Sequence, residues 1–556
     1  MYIEIGNFLN QRLKQAGISH IFGMPGDFNL AYLEQIEADT ELQFIGTCNE
    51  LNGAYAADGY ARIQNLAVMV TTYGVGDLSA INGIAGAYSE HVPVVHISGI
   101  PPLHAVKNGA QLHHTLLDGN YDHIMNCMKP FTVAQTRLTP ENSAYEIDRV
   151  LQACLTYKRP VHIQLPSDIT HIKIQTPTYP FQYKPYVTEP SYLNTVVHKL
   201  KDKLASAQKP TLLIDHLAQK FGFANIIQSI SEQYKIPLVS LGTAKNIINE
   251  AAPNYLGVYS GASSPTDIKN AVEQSDCLFC IGIQFADVNT AIFSQNIPYQ
   301  NTIFIQPYDV KLNHEYYEGI EAATLLKHIF NIHEQLLESI KSEKQAPTHQ
   351  NSKEPLSNAT LWSQISSFLR DGDIILGEAG CSSSGLNGIS LPFKAKYISQ
   401  PIWGSIGYTL PALVGTLFAQ PQARHILFIG DGSLQLTAQE ISTIVRYKLK
   451  PIIFILNNGG YTIERKILGA EAKYNDIHNW RYTELAHVFY GEAQTFHVET
   501  LEELHQTLST LDTPNQLTLI ELKLPKLDAP ESLNKFGPIV AQYDYGQHTM
   551  SQIKKD

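Results

Sequence analysis

The chain has 556 residues, with 40 Lys+Arg against 52 Asp+Glu and a formal net charge of −12. That length suggests about three or four domains, and 44% hydrophobic with 17% charged residues is a globular composition, too apolar for disorder. The acidic balance argues against a nucleic-acid coat or a polybasic membrane binder. No apolar stretch approaches the ~18 residues needed to cross a bilayer.

The start, MYIEIGNFLNQRLKQAG, predicts an amphipathic helix with Ile5, Phe8, Leu9 and Leu13 on one face and Gly17 as its C-cap. Glu4, Arg12 and Lys14 inside the pattern exclude a secretory h-region. SHIFGMPGD then reads as a strand entering a turn, LAVMVTTYG as a strand, LSAINGIAGAYSEH as a helix and VPVVHISG as another strand. Residues 176–190, with four prolines, and the polar run 341–358 read as linkers that cut the chain into three blocks. The middle block offers PTLLIDH, IPLVSLG, DCLFCIGI and NTIFIQP as strands. The third block repeats the first, with HILFIGDGS as strand and loop, LTAQEISTIVRYK as one helix and PIIFILNNGG as strand and loop. Near-continuous apolar strands between helices imply parallel sheets covered on both faces, so the fold class is α/β.

Six cysteines in so long a chain give no disulfide framework, which points to a reducing cytoplasm. The one CxxC, Cys277 and Cys280, has no partner pair for zinc. On a strand its two thiols point to opposite faces.

YGVGDLS (Gly74, Gly76) and IGDGSLQ (Gly430, Gly432) both follow strands and open helices, where free backbone N–H groups suit a phosphate. Neither copy has the third glycine or the ribose-binding acid of a dinucleotide fingerprint, and no Gly-Lys pair exists for a Walker loop. Asp431 ends one strand of the third block and Asn457–Asn458 end the next, which brings a carboxylate and an amide oxygen to one crevice. These are hard ligands, suited to magnesium shared with phosphates. An acidic protein without a loop lysine needs such a cation to hold a diphosphate. Taken singly, GDG would be a tight turn and NN a loop cap.

IGDGS through LNNGGYTIE resembles the thiamine diphosphate fingerprint. GMPGDFN at 23–29, Glu50 in CNELNGAYAADGYAR, His113–His114 in QLHHT and GSIGYTLPA after Trp403 follow in the same order. The whole chain resembles the pyruvate decarboxylases and their relatives acting on indolepyruvate or branched-chain 2-oxo acids. The resemblance implies three doubly wound parallel-sheet domains: pyrimidine-binding (PYR, 1–180), central (191–342) and diphosphate-binding (PP, 356–545). It implies thiamine diphosphate and Mg2+ as cofactors, with Asp431, Asn458 and the Gly460 carbonyl on the metal and Ser433, beside Gly432, on the diphosphate. Ile406 would wedge under the cofactor, the Gly404 carbonyl would receive the aminopyrimidine, and Glu50 would hydrogen-bond that ring. Asp27, His113, His114 and Glu464 would form the acid–base set, near neutral pH as suits histidine and shifted carboxylates. Ser383, Ile463 and Ile467 would line the substrate pocket.

The resemblance also implies that Glu50 of one subunit serves the diphosphate site of another, so a homodimer is required and a homotetramer is expected. The chain departs from the family at GEAGCSSS, where Ala379 and Cys381 replace residues that usually carry a hydroxyl, amide or carboxylate. Small Ser383, Ser384 and Gly459 leave room for a large acyl group. GDGSLQLTAQE and YNDIHNW match pyruvate-type enzymes most closely, so pyruvate is the expected substrate. The alternatives are an indolepyruvate, phenylpyruvate or branched-chain decarboxylase, an acetolactate-synthase-type carboligase, or an inert cofactor-binding scaffold. DHLAQKF lacks the regulatory cysteine of some relatives, so activation through a thiol is not expected.

Overall fold

The computed structural model describes residues 1–332, 353–511 and 515–546. Its first large sheet runs, edge to edge, through Gln43–Gly46, His20–Gly23, Ala67–Thr72, Val94–Ile100, Val161–Pro166 and Ala134–Arg137, all parallel. The third-block sheet runs through Lys396–Ile398, Ile374–Gly377, His425–Gly430, Ile452–Asn457, Thr518–Lys523 and Gln494–Val498, again all parallel. Counted along each block, the strand order is the same: second, first, third, fourth, sixth, fifth. One topology therefore occurs twice.

Strand alternation explains why these runs are apolar at every position. In Ala67–Thr72, Val68 and Val70 join the core on one face while Ala67 and Met69 join the core on the other. In His425–Gly430, Leu427 and Ile429 pack on one side and Ile426 and Phe428 on the opposite one. Burial of both faces is what a parallel sheet under two helix layers requires. The same rule separates Cys277 from Cys280, which lie in different cores of the middle sheet. All six cysteines are free thiols.

The middle sheet corrects the all-parallel expectation. Tyr255–Tyr259, Leu238–Leu241, Pro210–Ile214, Cys277–Ile281 and Thr302–Gln306 are parallel, but Asp309–Leu312 and Glu315–Glu318 extend one edge antiparallel. DVKL and EYYE carry no apolar run, and their link is a two-residue hairpin turn with Asn313 at a φ of 54°. The predicted helix LTAQEISTIVRYK is also broken, into Asp431–Thr437, a 3-10 turn at Ala438–Glu440, and Ile441–Arg446. The first linker is an ordered strap: Phe181 packs into the first core, and Pro190 opens the helix Pro190–Ala205. Residues 341–352 of the second linker lie outside the described residues.

The two repeated units meet through equivalent helices, Glu50–Gln64 and Thr409–Ala419, each between the second and third strands of its sheet. Glycine lets them touch. A Cβ at Gly59 would overlap the Ala412 carbonyl, and one at Gly415 would overlap the Ala56 carbonyl and the Tyr60 amide. Tyr55 Oη lies 2.6 Å from Ser405 Oγ, and Tyr408 donates to the buried Asp58 carboxylate, so polar bonds flank the crossing. Gly415→Val should force the helices apart and destabilise the protein by about 3 kcal/mol, the upper range for overpacking. Calorimetric unfolding checks this, and an unchanged midpoint would contradict the close crossing.

Candidate active site

Four predicted residues lie on the first unit. Asn49 caps the helix Glu50–Gln64 by accepting from Asn52 N at 2.8 Å, which puts Glu50 in the first turn, where the helix dipole favours an acid. Glu50 is half-buried, and a Cβ at Gly76 would stand 3.2 Å from its Oε1. The GVG turn therefore leaves an opening beside this carboxylate.

Asp77, the acid directly after the GVG turn, lies behind it. It is fully buried and accepts from Thr71 Oγ1 at 2.7 Å, Gly74 N at 2.9 Å and Ser98 Oγ at 2.9 Å. Burial pushes its carboxyl up to about 7, the Glu50 charge acts in the same direction, and the three hydrogen bonds oppose both. His96 sits 3.4 Å away, pushed down to about 3 by burial.

The structure brings Asp27, His113 and His114 together. His113 Nε2 lies 2.8 Å from Asp27 Oδ2, and His114 Nε2 lies 3.9 Å from Asp27 Oδ1. The imidazole centroids are 4.5 Å apart, and Phe28 stacks on His113 at 5.0 Å. His114 has a φ of 62°. Two imidazoles and a carboxylate this close can exchange protons.

The third unit gathers a second set. Asp431 opens its helix at the end of strand His425–Gly430, and its buried carboxylate takes three backbone N–H groups. Gly432 N reaches Oδ1 at 2.8 Å, while Gly459 N and Gly460 N reach Oδ2 at 2.7 and 3.2 Å. Burial pushes this carboxyl up to about 6, and the amides and the Arg465 charge pull it back. Asn458 is buried too, and its Oδ1 has no hydrogen-bond partner among the described residues. A buried unpaired amide oxygen near a carboxylate is a donor set that fits a hard divalent cation. Ser433 is buried close by, and the Tyr461 ring covers Gly432. Gly404 is exposed with a φ of 64°, and Ile406 is half-buried.

The departures are also located. Ala379 donates its amide to Glu378 Oε1 at 3.0 Å, and Glu378 Oε2 accepts from Thr409 N and Oγ1 at 3.1 and 2.6 Å. Cys381 Sγ lies 4.0 Å from Asn458 Nδ2, and burial pushes the thiol up to about 12, so it stays protonated. Ser383 sits on a short helix, Cys381–Asn387, and lines a cavity of about 280 Å³ at the junction of the three units, with Arg62, His91, His216 and Tyr397. Ile463 and Ile467 are half-buried on the helix Thr462–Ile467, and Glu464 on that helix is exposed. Among the described residues, no hydrogen bond or ion pair joins Glu464 to the Asp27–His113–His114 cluster, or Glu50 to Asp431.

Buried charges are what the sequence reading missed: Asp77, Glu378, Glu440 and Arg465. Glu440, at the helix break, accepts from Asn52 Nδ2 at 2.7 Å and Cys48 N at 3.3 Å, tying the Glu50 helix to the third unit. An acid inside QEISTI or directly after a GxG turn was the available sign.

Comparison with known proteins gives three matches in order. "Thiamine pyrophosphate enzyme, N-terminal TPP binding domain" covers residues 3–121, the central domain of that enzyme class covers 197–328, and its C-terminal TPP binding domain covers 378–522. The chain is 37% identical to pyruvate decarboxylase isozyme 3 of Saccharomyces cerevisiae over 97% of this chain and 98% of that protein. It is 36% identical to an alpha-keto-acid decarboxylase of Mycobacterium tuberculosis over 96% of both chains, and 35% identical to its Mycobacterium leprae namesake over 95% and 94%. The chain belongs to the thiamine diphosphate-dependent 2-oxo acid decarboxylases. For this decarboxylase, three α/β domains and a thiamine diphosphate site are therefore established. No helix among the described residues is long and apolar enough to cross a membrane.

Asp77 yields a test of the first unit. Its carboxyl holds a proton in the folded protein up to about pH 7, where the unfolded chain has released it. Its contribution to stability is therefore full at low pH and is lost as pH rises through about 7. Asp77→Asn should flatten the fall of stability between pH 4 and 7, measured by denaturant unfolding at stepped pH. Parallel curves for the two proteins would show that Asp77 ionises as an exposed acid does.

Proposed function

We propose that the protein is a magnesium-dependent decarboxylase of pyruvate, releasing acetaldehyde and carbon dioxide. The observation that carries this reading is the pairing of two half-sites on duplicated sheets. One is the buried Asp431 with the unpaired Asn458 oxygen, and the other is the Asp27–His113–His114 cluster. The first is suited to a metal and diphosphate, the second to proton transfer.

When bound, thiamine diphosphate supplies the nucleophilic carbon that adds to the 2-oxo group and accepts the electron pair left by carbon dioxide. Asp431, Asn458 and the Gly460 carbonyl would hold Mg2+, while Ser433, beside Gly432, would hold the diphosphate. Ile406 would support the cofactor, and the Gly404 carbonyl would receive its amino group. Glu50 of the partner protomer would hydrogen-bond the aminopyrimidine. Asp27, His113, His114 and Glu464 would hold and move protons at this site, one toward the reacting carbon and one from the adjacent hydroxyl, so that an aldehyde could leave. Ile463 and Ile467 wall the acyl pocket. The active unit is a homodimer, two of which form a tetramer, with PYR, central and PP domains at 1–180, 191–342 and 356–545, acting in the cytoplasm.

A larger 2-oxo acid is the second reading. A Cβ at Gly459 would meet nothing within 4 Å, which leaves open space beside the metal loop. A panel of pyruvate, 2-oxobutanoate, 2-oxoisovalerate, phenylpyruvate and indolepyruvate, scored by aldehyde formed, separates the two. Pyruvate should give the highest kcat/KM, and a preference for indolepyruvate or phenylpyruvate would overturn the lead reading.

Glu50→Gln should retain cofactor and oligomer but lose most turnover, at least about a hundredfold, as removal of an acid–base group does. Near-normal carbon dioxide release would remove Glu50 from this role. Asp431→Ala should lose thiamine diphosphate and Mg2+ on dialysis, and retention of both would refute the ligand assignment.

A further inference from the structure

Arg465 is a buried cation beside the third-unit crevice, with a fully buried side chain. Its guanidinium reaches acceptors from four stretches of chain. Nη1 donates to the Asn458 carbonyl at 3.3 Å, Thr462 Oγ1 at 3.3 Å and the Lys526 carbonyl at 3.2 Å. Nη2 donates to the Gly459 carbonyl at 2.7 Å, the Asn475 carbonyl at 3.1 Å and Asp476 Oδ1 at 2.9 Å.

Two of these bonds share peptide planes with the Asp431 bonds. In a trans peptide the carbonyl of one residue and the N–H of the next point in opposite directions within one plane. The Asn458 carbonyl meets Arg465 while the Gly459 N–H meets Asp431. The Gly459 carbonyl meets Arg465 while the Gly460 N–H meets Asp431. Two successive peptide planes are thus held between a cation and a carboxylate. Gly460 fits against the same anchor: a Cβ there would come within 2.7 Å of Arg465 Nη2 and overlap the Asn475 carbonyl.

We infer that Arg465 is a positioning residue that builds the cofactor-binding loop before cofactor arrives. It orients the Asn458 and Gly460 groups from the side opposite Asp431. The inference rests on the assignment of Asp431, Asn458 and Gly460 to the metal–diphosphate site. A lysine keeps the charge but cannot replace a planar fork serving two adjacent carbonyls. Loss of such an outer partner typically costs about 10- to 100-fold in metal affinity.

The test compares wild type, Arg465→Lys and Arg465→Gln as full-length apoproteins stripped with EDTA. Thiamine diphosphate binding in the presence of Mn2+ is measured by calorimetry, and bound Mn2+ by electron paramagnetic resonance. For Arg465→Lys we expect cofactor affinity to fall at least about tenfold, with kcat at saturating cofactor within about threefold of wild type. Arg465→Gln should fall further, and its unfolding midpoint should rise less on cofactor addition than that of wild type. Equal affinity in wild type and Arg465→Lys would overturn the inference. So would failure of both variants to fold, since Arg465 would then serve the whole domain rather than the loop. If wild-type apoprotein itself fails to bind the cofactor with Mn2+, the metal-site assignment fails instead.

Discussion

The structure turns on one costly arrangement, a carboxylate buried at the end of a central strand. Asp431 is almost wholly excluded from water, and burying an ionised carboxylate without compensation costs several kcal/mol. Its compensation comes from the backbone: three amides converge on it, two of them from the loop after the next strand. That requirement shapes the loop. Gly459 and Gly460 have φ values of 70° and 136°, which let successive N–H groups face the same oxygen. Once the amides turn inward, their carbonyl partners face the other way and need donors, which Arg465 provides. The Asn458 side chain is left as the unpaired acceptor. A divalent cation placed there would answer both the residual charge on Asp431 and the empty valence on Asn458.

The duplicated topology explains how two chemically different half-sites come to share one framework. Each unit ends its parallel strands in loops at the carboxyl edge, where open α/β sheets place ligands. In one unit those loops carry histidines and a half-buried glutamate, and in the other a metal-type donor set. The glycine-mediated crossing of Glu50–Gln64 with Thr409–Ala419 fixes the orientation of the helix whose first residue is Glu50. Glu440 adds a polar tie at the start of that helix through Asn52 and Cys48. Glu50 is therefore positioned by packing within its own chain, although its proposed task lies at the cofactor of another.

Legibility in the sequence followed burial. Strands covered on both faces were readable because alternation with two cores makes every position apolar, as in HILFIG and LAVMV. The hairpin DVKL–EYYE was not, because an edge pair half in water has no such run. The GDG and NN motifs were readable because their residue types, a carboxylate, amides and glycines at adjacent strand ends, suit the proposed metal and phosphate chemistry. The role of Arg465 was not, because its acceptors are mostly main-chain carbonyls, which carry no sequence signature.

The acidic and imidazole side chains divide by environment. Asp77 and Asp431 are buried acids raised toward neutrality, to about 7 and about 6. Asp27 and His113 are exposed in the single chain, and His114 is partly so. Exclusion of bulk water strengthens the electrostatic interactions inside a site, so a solvent-open cluster falls short of the proposed acid–base role. The same chain leaves Leu116, Leu117, Val75 and Leu78 exposed on the segments that carry His114 and the GVG turn. Apolar surface at those positions is unfavourable in water, and its burial by a second copy would close the acid–base cluster at the same time. Oligomer formation and water exclusion would then be one event, which is the physical reason to expect the homodimer, rather than the monomer, to be the catalytic unit.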